Sequence, residues 1–462
     1  MQVHPLLVSL ILLVAVSPST AQEKPETWKA GTAAEVVTPE GPMWMAGYAA
    51  RDRPSEGKVH DLFVKALALE GPAGERLVIV TSDLISVPRP IRDNLERAVA
   101  DRYQLPPAGL VINCSHTHCG PEIRTTRWSL DGLPAERLAA AQAYVEFLEQ
   151  KLLMVVGRAI EDLQPSQVAY CHARCGFAMN RRTPSLTGYR NFPNPEGPVD
   201  HDVPVLRVAT LEGKVRAVLF GYACHNTTLG FYQFCGDYAG FAQQYLEQAH
   251  PGVTALFVMG CGGDQNPYPR RTLELAQQHG RSLANAVEAA LETQPQPLTG
   301  PLRMAYEMAT VEYQAPPSRE EVEQQARSTN KYERLHAQRL LKQLDEDGKL
   351  REQYDCPVQV IRLGNRLTMV TLPGETVVDY SLRLKSQLTA PDGRGPAIWV
   401  AGYSNDVFAY IPSRRVLLEG GYEAGGAMRY MTTVLQPGPF APNVEERIVS
   451  KVLELNGRLT DD

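Results

Sequence analysis

What most constrains this chain is a pattern that recurs along it. A short apolar run of strand length is followed by a polar or glycine-rich motif, and then by a stretch of helical period. Alternation of that kind predicts an α/β fold. Strands are expected at 33–38, 62–69, 76–81, 109–113, 168–174, 203–210, 215–223, 253–259, 358–363, 367–372 and 398–401. Gly71-Pro72-Ala73-Gly74 and Gly364-Asn365 read as hairpin turns. Helices are expected at 91–103, 134–163 (with a break), 240–248, 272–291, 376–386 and 444–455. The charged stretch 319–353 reads as a solvated amphipathic helix outside any binding role, and 180–200 as a polar, proline-rich loop. No internal repeat or linker divides the chain. The expected fold is one large α/β domain, a mixed β-sheet core flanked by helices, with the site at the strand ends.

The first residues stand apart from this pattern. Residues 5–16 form an apolar run broken only by Ser9, and small residues at Ser19 and Ala21 suit a cleavage site before Gln22. Residues 1–21 are therefore expected to be a signal peptide, 22–30 a leader and 31–462 the folded domain. The run is short for a membrane span. The expected location is secreted or periplasmic, with anchoring on the lipid side left open. Eight cysteines are too few for a disulfide scaffold. Cys171 with Cys175 and Cys224 with Cys235 are close enough in sequence to pair, and free buried thiols are the alternative. A net charge of −6 argues against nucleic acid as a partner.

Five motifs carry chemistry, each at the end of an expected strand. Asn113-Cys114-Ser115-His116-Thr117-His118-Cys119-Gly120-Pro121 places two of the ten histidines within three residues. A His-x-His pair on a rigid strand end can supply imidazole ligands to zinc. His225 follows the next such strand, and the same loop runs on to Gly236-Asp237. Asp237 is placed to cap a helix or to orient a metal-bound histidine. Gly260-Cys261-Gly262-Gly263-Asp264-Gln265-Asn266 lets backbone approach a ligand closely, and it lacks the spacing of a nucleotide loop. Glu375, in Pro373-Gly374-Glu375, is either a metal-binding carboxylate or an acid favoured by a helix N-terminus. Tyr410 lies in Ser404-Asn405-Asp406-Val407-Phe408-Ala409-Tyr410, ahead of Gly420-Gly421-Tyr422-Glu423.

In this order the motifs resemble the N-terminal catalytic domain of the neutral/alkaline non-lysosomal ceramidases. The counterparts are residues 116–121, His225 with 236–237, 263–267, 373–375 and 405–410, together with Asn180-Arg181 before a proline-rich loop. The resemblance implies a zinc-dependent hydrolase of an N-acyl amide, on a ceramide-like lipid or another N-acyl compound. It implies one Zn2+ per chain, held by His116, His225, Glu375 and Tyr410, and activating a water. His118 would polarise substrate or support the metal, and Arg181 would contact substrate or the oxyanion. A lipid substrate would bring peripheral membrane contact; no protein partner is implied. Iron or manganese also suits a His/carboxylate set.

Three departures from the family pattern bear on this expectation. The family's Ser in Gly-Asp-x-Ser-Pro falls on Asn266, whose amide can bind a carbonyl or the zinc water but cannot be a nucleophile. The Ser of His-Thr-His-Ser becomes Cys119, expected to serve as a small packing residue. The 40 residues beyond Tyr422 are too few for the family's C-terminal immunoglobulin-like domain. An esterase or lactonase on the same scaffold, a silent binding protein, and a thiol hydrolase on Cys119 are the alternatives.

Overall fold

Strands in which every residue is apolar need cover on both faces, and stacking one sheet on another supplies it. The computed structural model of the protein describes residues 27–126, 134–390 and 395–461. The expected signal peptide and the first part of the leader lie outside them. The larger sheet contains β1 (Trp28–Val36), β2 (Phe63–Glu70), β3 (Arg76–Ser82), β4 (Leu110–Cys114), β5 (Gln164–Arg174), β8 (Asp202–Ala209), β9 (Val215–Tyr222) and β10 (Thr254–Met259). Its order is β10-β9-β8-β5-β1-β2-β3-β4, with the short β12 (Gln296–Pro297) beside β5. A second sheet has the order β13 (Leu302–Glu312), β14 (Gln353–Leu363), β15 (Leu367–Thr371), β17 (Ala397–Ala401).

The two sheets pack face to face. Leu67, Ile79, Val111, Leu219 and Leu256 of the first meet Ile361, Leu363, Leu367, Met369 and Trp399 of the second in one buried cluster. The outer face of the first sheet is covered by α1 (Arg89–Tyr103), α2 (Ala135–Glu161), α3 (Asp237–Ala249) and α4 (Leu273–Leu291). A smaller unit, α5 (Arg319–Gln325) and α6 (Lys331–Asp347), closes on its own cluster of Val322, Ala337, Leu340, Leu350 and Leu435. The outer face of the second sheet carries α7 (Val378–Leu388) and α9 (Val444–Asp461), with the short α8 (Arg414–Glu419) between them in sequence. The expected mixed core flanked by helices is thus present, as two stacked sheets.

Several local expectations change. Trp28 and Ala30 are buried and Lys29 pairs with Glu70, so residues 28–30 belong to β1 and not to a leader. The helix expected to break between 134 and 163 runs unbroken as α2, with Leu148, Leu152 and Val155 on one buried stripe. The loop expected at 180–200 contains a hairpin, β6 (Ala178–Ser185) and β7 (Gly188–Asn194), with β11 (Gln265–Pro267) on its other side. Proline and arginine there had masked the strand signal. Residues 319–353 divide into two helices because Asn330 caps a new one, accepting from the backbone N–H groups of Tyr332 and Glu333. All eight cysteines are buried and free, so neither suggested disulfide forms.

The parallel pairs fix where the chemistry sits. β3 with β4, β9 with β10, and β15 with β17 each run parallel. Asn113 at the end of β4 ties these ends together. Its amide accepts from Met259 N at 2.7 Å and donates to Gly402 O at 2.8 Å. Among the described residues, no helix is long and apolar enough to cross a membrane.

Candidate active site

His116 lies two residues past β4, in left-handed backbone at φ 60°. Its N–H donates to Leu84 O, and its ring Nδ1 lies 2.6 Å from Ile85 O. His225 lies three residues past β9, with its N–H on Gln265 O and its Nδ1 2.6 Å from Gly262 O. A carbonyl oxygen only accepts, so each Nδ1 carries the proton. Each Nε2 then points inward. Facing both nitrogens is a carboxylate: Glu375 Oε2 lies 3.1 Å from His116 Nε2 and 3.0 Å from His225 Nε2. His118 brings a third ring, its Nε2 3.2 Å from His116 Nε2.

Imidazole nitrogens and a carboxylate oxygen that converge in a buried space share either protons or a metal cation. Nδ1 of His118 is buried without a partner, so its other nitrogen has only His116 to face. Burial and the charge of Arg181 push His225 down to about 4, and burial with the neighbouring imidazoles holds His118 well below the usual histidine range. Burial alone would raise Glu375, but His116 and His225 hold its carboxyl well below the usual range. Neutral imidazoles and an ionised carboxylate are the forms that ligate metal. His116, His118 and His225 form a group that could hold a metal ion, and the donor chemistry fits zinc.

The loops reach this point because their backbones approach unusually closely. A Cβ on Gly263 would lie 2.5 Å from the main-chain O of Glu375, so only glycine lets β10's loop pass against that backbone. Glu375 opens the short strand β16 (Glu375–Thr376), paired in parallel with β18 (Tyr410–Ile411) so that Glu375 stands opposite Tyr410. Of the two readings for Glu375, the geometry favours the carboxylate on the histidines, since α7 begins only at Val378.

Tyr410 Oη lies 3.2 Å from His225 Nε2 and accepts from Arg181 Nη2 at 2.9 Å. All three guanidinium nitrogens of Arg181 are engaged. Its Nε donates to Glu423 and its Nη1 to Asn266 Oδ1, so it acts through Tyr410 and does not line the cavity. Asn266 Oδ1 also accepts from Thr227, which turns the Asn266 amide toward Asn191 and away from the histidines. Asp237 accepts the N–H groups of Leu229 and Tyr238, anchoring the loop ahead of α3. Cys119 is fully buried in the core, and burial pushes its thiol up, which suits packing and not nucleophilic attack.

A cavity of about 270 Å³ opens in front of His116, His118, Glu375 and Tyr410. Tyr332, Leu335 and Arg339 of α6 form part of its wall, which corrects the reading of 319–353 as a purely solvated stretch. Sequence reading also passed over four contributors. Tyr403, at φ 49°, packs its ring 4.7 Å from that of His116. Gly47 makes room for the His118 ring, and Arg51 donates to His118 O. Glu423 sits in a motif already noted but gains a role only through its contact with Arg181. Left-handed backbone at non-glycine positions such as Tyr403 and His116 is typical of functional sites.

In fold the chain is similar to neutral ceramidase from Pseudomonas aeruginosa, with a TM-score of 0.72 at 16% identity, over 94% of this chain and 74% of that one. It is similar to a ceramidase complexed with C2, with a TM-score of 0.71 at 16% identity, over 94% and 76%. The model of the neutral/alkaline non-lysosomal ceramidase N-terminal domain matches residues 29–266, just over half of the chain, and the chain belongs to that family. No curated protein matches the chain.

Proposed function

We propose that this protein is an exported, zinc-dependent hydrolase of an N-acyl amide bond. The observation that carries the reading is the convergence of two Nδ1-anchored imidazoles and one carboxylate oxygen, within 3.1 Å, on one buried point at the cavity wall. His116, His225 and Glu375 would hold the zinc, with His118 and Tyr410 beside it. When bound there, zinc supplies Lewis acidity and lowers the pKa of a water from about 15.7 toward about 7.

The remaining work falls to the chain. Tyr410 Oη, held by Arg181, faces the cavity where a substrate carbonyl would gain negative charge, and donors aimed at such a point stabilise it. Arg181 is kept protonated by Tyr410 and Glu423 despite its burial, so it holds that hydroxyl in one orientation. His118 borders the cavity as a neutral imidazole, able to hydrogen-bond the substrate amide. Ile85, Val407 and the ring of Tyr48 border the same space and limit water around the reacting bond.

The test pairs an N-acyl amide with its ester analogue of equal chain length, before and after chelation. Hydrolysis of the amide, lost on chelation and restored by zinc, is the expected result. Cleavage of the ester alone would replace the amidase with an esterase, and amide cleavage indifferent to chelation would remove the metal.

A further inference from the structure

Among the charged residues that border the cavity, most are positive. Arg51, Arg124, Arg137, Arg339 and Arg429 border it, against the carboxylates of Glu122 and Glu375. The chain as a whole carries −6, so this concentration of guanidinium groups is local. Arg124 is neutralised by Glu122, and Arg429 by Glu333 outside the wall. Arg51 instead meets neutral carbonyls, those of Ala46, His118 and Phe231. Both terminal nitrogens are thus engaged, its buried Nε has no partner, and no carboxylate among the described residues pairs with its charge. Arg137 lays its guanidinium 4.2 Å from the centre of the Trp44 ring, and its buried Nε has no partner.

An uncharged amide leaves this field unanswered. A substrate anion would meet it at little reorganisation cost, because the guanidiniums are already held by ion pairs, carbonyls and an aromatic face. Size points the same way. At about 270 Å³ the cavity falls just under the range of about 300–1,000 Å³ usual for small-ligand pockets, short of what two long hydrocarbon chains fill.

We propose that the cavity selects compact N-acyl amides bearing an anionic group, a carboxylate being the simplest, over uncharged amides of the same length. This rests on the amide-hydrolase reading above. The probes are N-octanoylglycine, its carboxamide N-octanoylglycinamide, and an N-ethyl amide whose carboxylate sits at the far end of the acyl chain. On zinc-loaded enzyme, kcat/KM for an anionic probe should exceed that for the carboxamide by about tenfold or more at low salt, and the gap should shrink in about 0.5 M NaCl. Which of the two anionic probes leads tells whether the charge belongs on the amine or the acyl half.

Arg137→Gln should raise KM for the preferred anion about tenfold, narrowing its lead over the carboxamide. Calorimetry on metal-free protein should show the same preference, so a carboxylate sitting on the metal cannot be its source. The salt dependence of the wild type stands even if the variant folds poorly. Equal kcat/KM for charged and neutral probes, or preference for the carboxamide, overturns charge selection and leaves amide hydrolysis standing. Cleavage of no amide removes the hydrolase reading, and this inference with it.

Discussion

Replacing Gly47 with alanine tests whether His118 works from its observed place. Gly47 sits at φ 99°, and a Cβ there would fall 2.6 Å from Cγ and Nδ1 of His118. Comfortable contact between such atoms is about 3.5–4.0 Å, so ring or loop must yield by roughly 1 Å. A side chain in left-handed backbone costs about 1–2 kcal/mol, which lowers Tm by a few degrees in a domain of this size. Activity should suffer far more than stability, since a displacement of about 1 Å in a reacting group can cost about 10²-fold. The assay is kcat/KM on an N-acyl amide, beside Tm and metal content. A Tm drop of a few degrees with about 10²-fold lower kcat/KM is expected. Wild-type kcat/KM in a variant with the lowered Tm would show that His118 does nothing at that position.

Other outcomes follow from the same geometry. Glu375→Gln should abolish metal retention and reduce kcat by about 10³-fold or more, read by metal analysis and turnover, because a neutral amide cannot balance the cation. Glu423→Gln should lower kcat with little change in KM, since it loosens Arg181 behind Tyr410 without touching substrate; a change confined to KM would refute that placement. None of the eight thiols should react with a thiol reagent in the native protein, as burial raises even Cys171 and Cys175 to about 11. Lys451 and Arg458 on α9 hold Glu307 down to about 2. A depressed carboxylate stabilises the fold above its unfolded value of about 4.5 and loses that contribution as pH falls toward 2. Glu307→Gln should flatten the acid side of the stability profile over that window, measured by denaturation at each pH.

The strand ends were legible because apolar runs and polar motifs abut there. His116, His225 and Glu375 each stand within four residues of a buried run, and that proximity is a local signal. What pairing brings together was not legible. Gly47 and Arg51 belong to a loop more than sixty residues before His118, and nothing near them marks that contact. The hairpin at 178–194 was hidden because its strands carry proline and arginine, whose burial depends on Glu419 and Glu423 far along the chain. Arg181 was picked out by its motif, but its engagement by Glu423, Asn266 and Tyr410 is a property of the folded site. The stacking of two sheets was likewise invisible, because a fully apolar strand reads the same whether a helix or another sheet covers it.

The most direct test of the metal-centred account is metal content on purified protein, wild type beside His225→Ala, each offered zinc and then dialysed. The account predicts about one zinc per wild-type chain and nearly none in a folded variant, because His225 anchors the cluster through Gly262 and Glu375. Equal zinc in both proteins, or none retained by the wild type, would contradict it.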